Sequence, residues 1–177
     1  MAPPLDLQIL RWVNQAGSPV LDPLMVAASN RWLLLAIAVG AALYLAVRSP
    51  HHWLAAVMLL VSIGAADLVD VRVVKPAVER MRPCHSLASV RAPAGCGAGR
   101  SFPSAHASDT AAAATVIAWA APALSPFALA LTAIVGVSRV YLGVHYPSDV
   151  VAGWVLGTVV AAALIAIARL RHAVRVR

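Results

Sequence analysis

Ser138–Asp149 reads SRVYLGVHYPSD. It sets two serines, an arginine, two tyrosines, a histidine and an aspartate between two long apolar runs, one ending near Val140 and the other covering Val150–Ala168. Polar groups at such a junction sit where a membrane ends and water begins, and charge at that depth is costly unless it serves a function. Two earlier stretches share this character: Lys75–Pro83, KPAVERMRP, and Ser101–His106, SFPSAH. The apolar runs that separate the three clusters dictate an all-α fold, a polytopic membrane helical bundle. The clusters themselves point to one shared, phosphate-sized site.

Composition agrees with the bundle. The 177 residues suit one domain, yet 61% are hydrophobic and 12% charged, and the mean hydropathy of +0.81 is not that of a water-soluble globule. The net charge of +7 resides mainly at span ends and in one loop, so membrane lipids are the expected partner and nucleic acid is not. Lys75 is the sole lysine among 14 basic residues.

About five transmembrane helices are expected, preceded by amino-terminal interfacial helices within residues 1–30. Leu5–Gln15 and Pro19–Ser29 have helical apolar spacing, but Asp6, Gln8, Arg11, Asn14 and Asp22 make them too polar to span. Trp32–Val47 is the first expected span. The second starts at Trp53 and runs into Asp67, Asp70 and Arg72, which should face protein or a wet cavity. Residues 75–103 form the one long loop, rich in Pro, Gly and Ser. The third span runs from about Ala105 to Ala121, the fourth follows the Pro122 and Pro126 turn, and Val150–Ala168 is the fifth. Gly153 and Gly157 stand at GxxxG spacing, which permits close helix contact. The opening MAPPLDLQIL lacks a basic leader ahead of an apolar core, so the first span is expected to serve as the insertion signal.

Arg169, Arg171, Arg175 and Arg177 follow the last span and place that end in the cytoplasm. The turns at Arg48–His52 and Ala121–Ser125 then lie inside, and all three polar clusters face the periplasmic or extracellular side of a plasma membrane. Cys84 and Cys96 both fall in the outer loop, where an oxidising compartment lets them pair.

The chemistry of the clusters is complementary. His145 and Asp149 are four apart, with Pro147 suited to a first helical turn. A carboxylate bonded to one ring nitrogen would leave the other free as a base or nucleophile, although the same spacing also serves a helix cap. Ser104 stands at an N-cap position before an alanine-rich run, so the amides near Ala105 and His106 would attract an anion. His106 is then at the mouth of that site, where a general acid is useful. Lys75 and Arg82 offer a mobile point charge and a planar fork for phosphate oxygens, and Arg80 has the same chemistry as Arg82.

Together these residues resemble the type 2 phosphatidic acid phosphatase (PAP2) superfamily. Its signatures are Lys, six residues, Arg-Pro; Pro-Ser-Gly-His; and Ser-Arg, five residues, His, three residues, Asp. The first is matched by Lys75 and Arg82-Pro83, and the third by Ser138, Arg139, His145 and Asp149. The second is matched by Pro103, Ser104 and His106, with Ala105 where the family has glycine. The resemblance extends over about Asp67 to Gly157. It implies that His145 attacks phosphorus to form a phosphohistidine, that Asp149 orients it and that His106 protonates the leaving oxygen. Lys75, Arg82, Ser104, the amide of Ala105, and Arg139 would bind the phosphate. No cofactor and no metal are implied, and no spacing of His or Cys suggests a metal site. The expected substrate is a lipid phosphate or diphosphate of the cell envelope, with undecaprenyl diphosphate favoured over phosphatidylglycerol phosphate, phosphatidic acid and lipid A phosphates. A lipid phosphotransferase and an anion-binding membrane channel are the alternatives, the first distinguished by its product and the second explaining the charges but not the paired side chains.

Overall fold

The computed structural model describes residues 4–48 and 53–175; residues 49–52 of the turn expected across Arg48–His52 and the terminal Arg177 of the expected basic cluster lie outside them. Helices α1 (Pro4–Gln15), α2 (Leu21–Ala28), α3 (Arg31–Arg48) and α4 (Trp53–Val69) lead into a π-helical turn at Asp70–Val74 and the short α5 (Lys75–Val78). After α6 (Pro83–Ser86) come α7 (Ala105–Ala120), α8 (Ser125–Tyr141) and α9 (Pro147–Arg175). Among the described residues there is no strand.

The bundle is a membrane structure by its surface. Trp32, Leu35 and Leu43 on α3, Leu129 and Ile134 on α8, and Val151, Val155 and Val159 on α9 are exposed. Such continuous apolar faces are stable only against hydrocarbon. Among the described residues four segments are long and apolar enough to cross a membrane: Arg31–Arg48, Trp53–Ser86, Pro122–Tyr141 and Pro147–Arg171. The third expected span is the exception. Its helix, α7, has 16 residues, which at about 1.5 Å per residue falls short of a ~30 Å hydrocarbon core. A cis Phe102–Pro103 peptide precedes α7 and Pro122 follows it. The helix is enclosed by α4, α8 and α9, burying Ala107, Ser108, Ala111, Ala112, Ala114 and Val116.

Close approach of α7 and α9 depends on the GxxxG glycines. A Cβ at Gly157 would lie 2.0 Å from the Ser108 carbonyl oxygen, and one at Gly153 2.5 Å from that of Ser104. Backbone would have to move in either case, so both helices are held at a separation only glycine allows. This contact brings the amino-terminal ends of α7 and α9 together.

The amino-terminal helices do more than lie on the surface. Asp6, Leu10 and Asn14 recur every four residues along α1, and all three are buried against the loops at the same end of the bundle. Asn14 Nδ2 donates to the carbonyls of Tyr141 and Arg91 at 2.7 and 2.9 Å, and its Oδ1 accepts from the Arg91 amide at 2.9 Å. Two of the residues that make α1 too polar to span, Asp6 and Asn14, are therefore those that dock it, while Gln8 and Arg11 are exposed. Asp70, expected to face protein, is fully buried and paired with Lys75, whereas Arg72 is exposed.

In the outer loop Cys84 and Cys96 are joined by a disulfide with Cα atoms 5.8 Å apart. The crosslink closes a 12-residue separation, worth about 3 kcal/mol through restriction of the unfolded chain. Thermal unfolding in detergent should accordingly shift to lower temperature on reduction or in Cys84→Ser/Cys96→Ser, and an unchanged midpoint would mean the bridge adds nothing to stability.

Candidate active site

His145 lies in the short connection between α8 and α9 and is 2% exposed. Its Nδ1 is 2.7 Å from the Ser101 carbonyl oxygen. A carbonyl can only accept, so Nδ1 carries the proton and the lone pair is on Nε2. That nitrogen faces Arg82, whose Nη1 is 3.5 Å away and also donates to the Val144 carbonyl at 3.2 Å. Burial, reinforced by the charges of Arg139 and Arg82 against the opposing effect of Asp149, pushes His145 down to about 4. The ring is thus neutral at pH 7 with its lone-pair nitrogen turned toward Arg82.

Asp149 does not bond the ring directly, contrary to the expectation from the four-residue spacing. Its Oδ2 is 3.6 Å from His145 Nδ1 and accepts from the Tyr146 amide at 2.8 Å, capping the first turn of α9. Its Oδ1 accepts from Arg80 Nη1 at 2.7 Å. Ser101 therefore fixes the tautomer, and Asp149 supplies charge and holds the loop.

Arg80 is the residue whose role the sequence left open. It donates to Asp149, to Ser148 Oγ at 2.7 Å and to Asp6 Oδ2 at 2.8 Å, and it stacks over Tyr146 at 3.9 Å from the ring centroid. Asp6 also accepts from the amide and hydroxyl of Ser148. Burial acts to raise the Asp6 pKa, but the bonds from Arg80 and Ser148 outweigh it and hold the carboxyl below its usual range. Arg80 is a structural clamp joining α1, the outer loop and α9, while Arg82, two residues on, faces the histidine.

The amino terminus of α7 closes the other side. Ser104 stands at the N-cap with extended backbone, but its hydroxyl makes no capping bond. Its amide donates to the Asp149 carbonyl at 3.0 Å, and its carbonyl accepts from Ser108. The amides of Ala105, His106 and Ala107 form the first helical turn and lack intrahelical acceptors. Ala105 is helical, and Glu79 is the one non-glycine residue with positive φ among the described residues. Alanine therefore takes the glycine's place without strain. His106 Nε2 is 3.1 Å from the Ser29 carbonyl oxygen, and the ring lies within electrostatic reach of His145 and Arg139.

Buried atoms left without partners converge here: Arg82 Nε, Arg139 Nε and Ser104 Oγ. Orphaned donors of this kind are costly unless an anion takes them up. Six of the residues singled out from the sequence, together with the Ala105 amide, thus meet at one end of the bundle. Lys75 differs in being engaged with Asp70 on the turn below, near Asp109 one helical turn beyond His106. Among the described residues no group of three or more His, Cys, Asp or Glu is placed to hold a metal ion. A cavity of about 580 Å³ opens beside His106, with Arg31, Asp67 and Asp109 at its polar part and Leu34, Leu59 and Ile117 among its apolar walls.

The site residues found in the structure but not in the motifs are Ser101, Arg80, Asp6 and Ser29. Two of them act through main-chain carbonyls, which leave no side-chain signal.

Residues 55–173 match the model of the PAP2 superfamily. The decaprenylphosphoryl-5-phosphoribose phosphatase of Mycobacterium tuberculosis is 37% identical over 134 residues, 74% of this chain and 68% of the relative. Phosphatidylglycerophosphatase B of Bacillus subtilis is 32% identical over 157 residues, 82% of this chain and 70% of the relative. The crystal structure of the first transmembrane PAP2 type phosphatidylglycerolphosphate phosphatase from Bacillus subtilis superposes with a TM-score of 0.71 at 25% identity, covering 93% of this chain and 85% of that one.

Proposed function

Because the chain belongs to the PAP2 superfamily of membrane lipid phosphatases, we propose that it hydrolyses a lipid carrying a terminal phosphate through a phosphohistidine on His145. The observation that carries this reading is the bond from His145 Nδ1 to the Ser101 carbonyl, which leaves the Nε2 lone pair facing Arg82.

In the first step that lone pair forms the N–P bond as the P–O bond to the lipid breaks. His106 gives its proton to the departing oxygen. Arg82, Arg139, Ser104 and the first amides of α7 take the nonbridging oxygens and balance the charge of the transition state. Lys75 completes the set by exchanging Asp70 for a phosphate oxygen. In the second step His106 takes a proton from water, water attacks phosphorus, and the N–P pair returns to Nε2.

The apolar-walled cavity beside His106 suits a lipid chain. Polyprenyl-linked phosphates are the favoured class: undecaprenyl diphosphate and decaprenylphosphoryl-5-phosphoribose both carry a terminal phosphate beyond a prenyl phosphate. The basic residues after the fifth span support a site on the outer face of the plasma membrane. Phosphate release by the purified protein from these two lipids, phosphatidylglycerol phosphate and phosphatidic acid tests the assignment. Preference for the polyprenyl lipids is expected; release from the glycerolipids alone would overturn the substrate class, and transfer to a lipid acceptor in place of free phosphate would overturn hydrolysis.

The depressed His145 pKa gives a pH prediction with a definite sign. The neutral ring is the nucleophile, so activity is present above its folded-state pKa and lost as pH falls through it, near 4. The acid limb of kcat/KM, corrected for ionisation of the substrate, should therefore lie well below the ordinary imidazole value of about 6.5. A limb at that ordinary value would show that His145 is not held in this environment.

A further inference from the structure

His106 is bonded to a residue outside the part of the chain that matches the PAP2 family, and the way this residue is held makes it more than a neighbour. Ser29 sits between α2 and α3 and is buried, 9% exposed. Its carbonyl faces His106 Nε2 at 3.1 Å. Its hydroxyl is 2.6 Å from Ser138 Oγ on α8. Ser138 spends its single proton on the Val135 carbonyl, 2.7 Å away, so the Ser29 hydroxyl is the donor in the pair. The Ser29 amide in turn bonds the Met25 and Val26 carbonyls at the end of α2. Next to it Asn30 Oδ1 accepts from the amides of Trp32 and Leu33 and caps α3. The turn is therefore fixed on both sides, and the direction of its one inward carbonyl is set by the Ser29–Ser138 bond.

We propose that Ser29 is a positioning residue for the acid step. Its carbonyl holds the proton of His106 on Nε2, turns Nδ1 toward the leaving oxygen and stabilises the imidazolium from which that oxygen is protonated, while its hydroxyl, through Ser138, keeps the carbonyl in place. A neutral acceptor at one ring nitrogen selects the tautomer and favours the charged ring. The inference rests on the reading of His106 as the general acid. It also gives each residue of the Ser-Arg pair a distinct role, since Ser138 anchors the support of the acid and Arg139 meets the phosphate.

A positioning role for the acid has a signature that a merely structural role lacks. The alkoxide that leaves a lipid phosphate monoester such as phosphatidylglycerol phosphate needs a proton to depart, whereas nitrophenolate leaves without one, and the monoester is therefore the lipid to use. Ser29→Ala should lower kcat on a lipid phosphate roughly tenfold, a fraction of what general acid catalysis contributes, while kcat on p-nitrophenyl phosphate changes little. Ser29→Thr, which keeps the hydroxyl, should restore the lipid rate. Ser138→Ala should reproduce the selective loss, and the double variant should be no worse than either single one, because both cut the same bond. Equal loss on both substrates, no loss on the lipid, or additive losses would overturn the proposal. His106→Ala, measured alongside, separates the role of Ser29 from that of the acid itself. If it too fails to discriminate between leaving groups, the acid assignment falls; if it discriminates and the Ser29 and Ser138 variants do not, only the role of Ser29 falls.

Discussion

His145→Asn is expected to lower phosphate release from a lipid phosphate by at least about 10⁴-fold, the scale seen when a covalent nucleophile is removed from an otherwise intact site. Asparagine is the informative replacement because its side-chain amide can still donate to the Ser101 carbonyl that His145 Nδ1 reaches at 2.7 Å. It thereby avoids leaving a buried acceptor unpaired, but it offers no nucleophile where Nε2 stood. The protein should fold, bind the phosphate through Arg82 and Arg139, and fail to turn it over. A variant that retains even a tenth of the activity would show that another group attacks phosphorus.

The second large effect is one of stability. Arg80→Ala should destabilise the protein by about 3 kcal/mol or more, the cost of removing one partner from buried ion pairs. The reason is local: Asp149 and Asp6 are 0% and 5% exposed, and Arg80 bonds both carboxylates while covering Tyr146. Without the guanidinium two buried carboxylates face each other across Ser148, α1 loses its anchor and the first turn of α9 loosens. Arg80→Lys should recover little, because one ammonium cannot present the fork that reaches Asp6 and Asp149 together. Thermal unfolding in detergent checks both variants. An Arg80→Ala midpoint equal to that of the parent would mean the network carries no net stability.

These two arginines show where the sequence is silent. Arg80 and Arg82 have the same chemistry and stand two residues apart in a loop; the Lys, six residues, Arg-Pro spacing points to Arg82, but nothing in their order tells that Arg80 clamps carboxylates. The irregular backbone between α5 and α6 decides it, sending Arg80 to Asp6 and Asp149 and Arg82 to His145. The His145–Asp149 spacing misleads for a related reason. Helical geometry does bring the two within 3.6 Å, but the Tyr146 amide and Arg80 take the carboxylate, and a main-chain carbonyl from Ser101 takes the ring. A carbonyl belongs to every residue type, so its part in a site is unreadable before the loop is folded. Lys75 was legible as a cation, but not as the partner of Asp70 on a π-helical turn.

Other features were legible because one strong term sets them. The bounds of α1, α3 and α8 follow apolar periodicity and the prolines and polar residues at their ends, and α9 begins at Pro147 as its proline suggests. Gly153 and Gly157 announced a close helix contact, and the structure supplies the partner, α7. An alanine-rich segment reads as a span by hydropathy alone, and α7, 16 residues long, is also packed against α4, α8 and α9.

The central claim is that hydrolysis runs through two displacements at phosphorus, the first by His145 and the second by water. The most direct measurement is the stereochemical course of hydrolysis of a lipid thiophosphate made chiral at phosphorus with heavy oxygen isotopes. Two in-line displacements invert twice, so net retention of configuration is the predicted result. Net inversion would mean that water attacks the lipid phosphate directly, and would contradict the account.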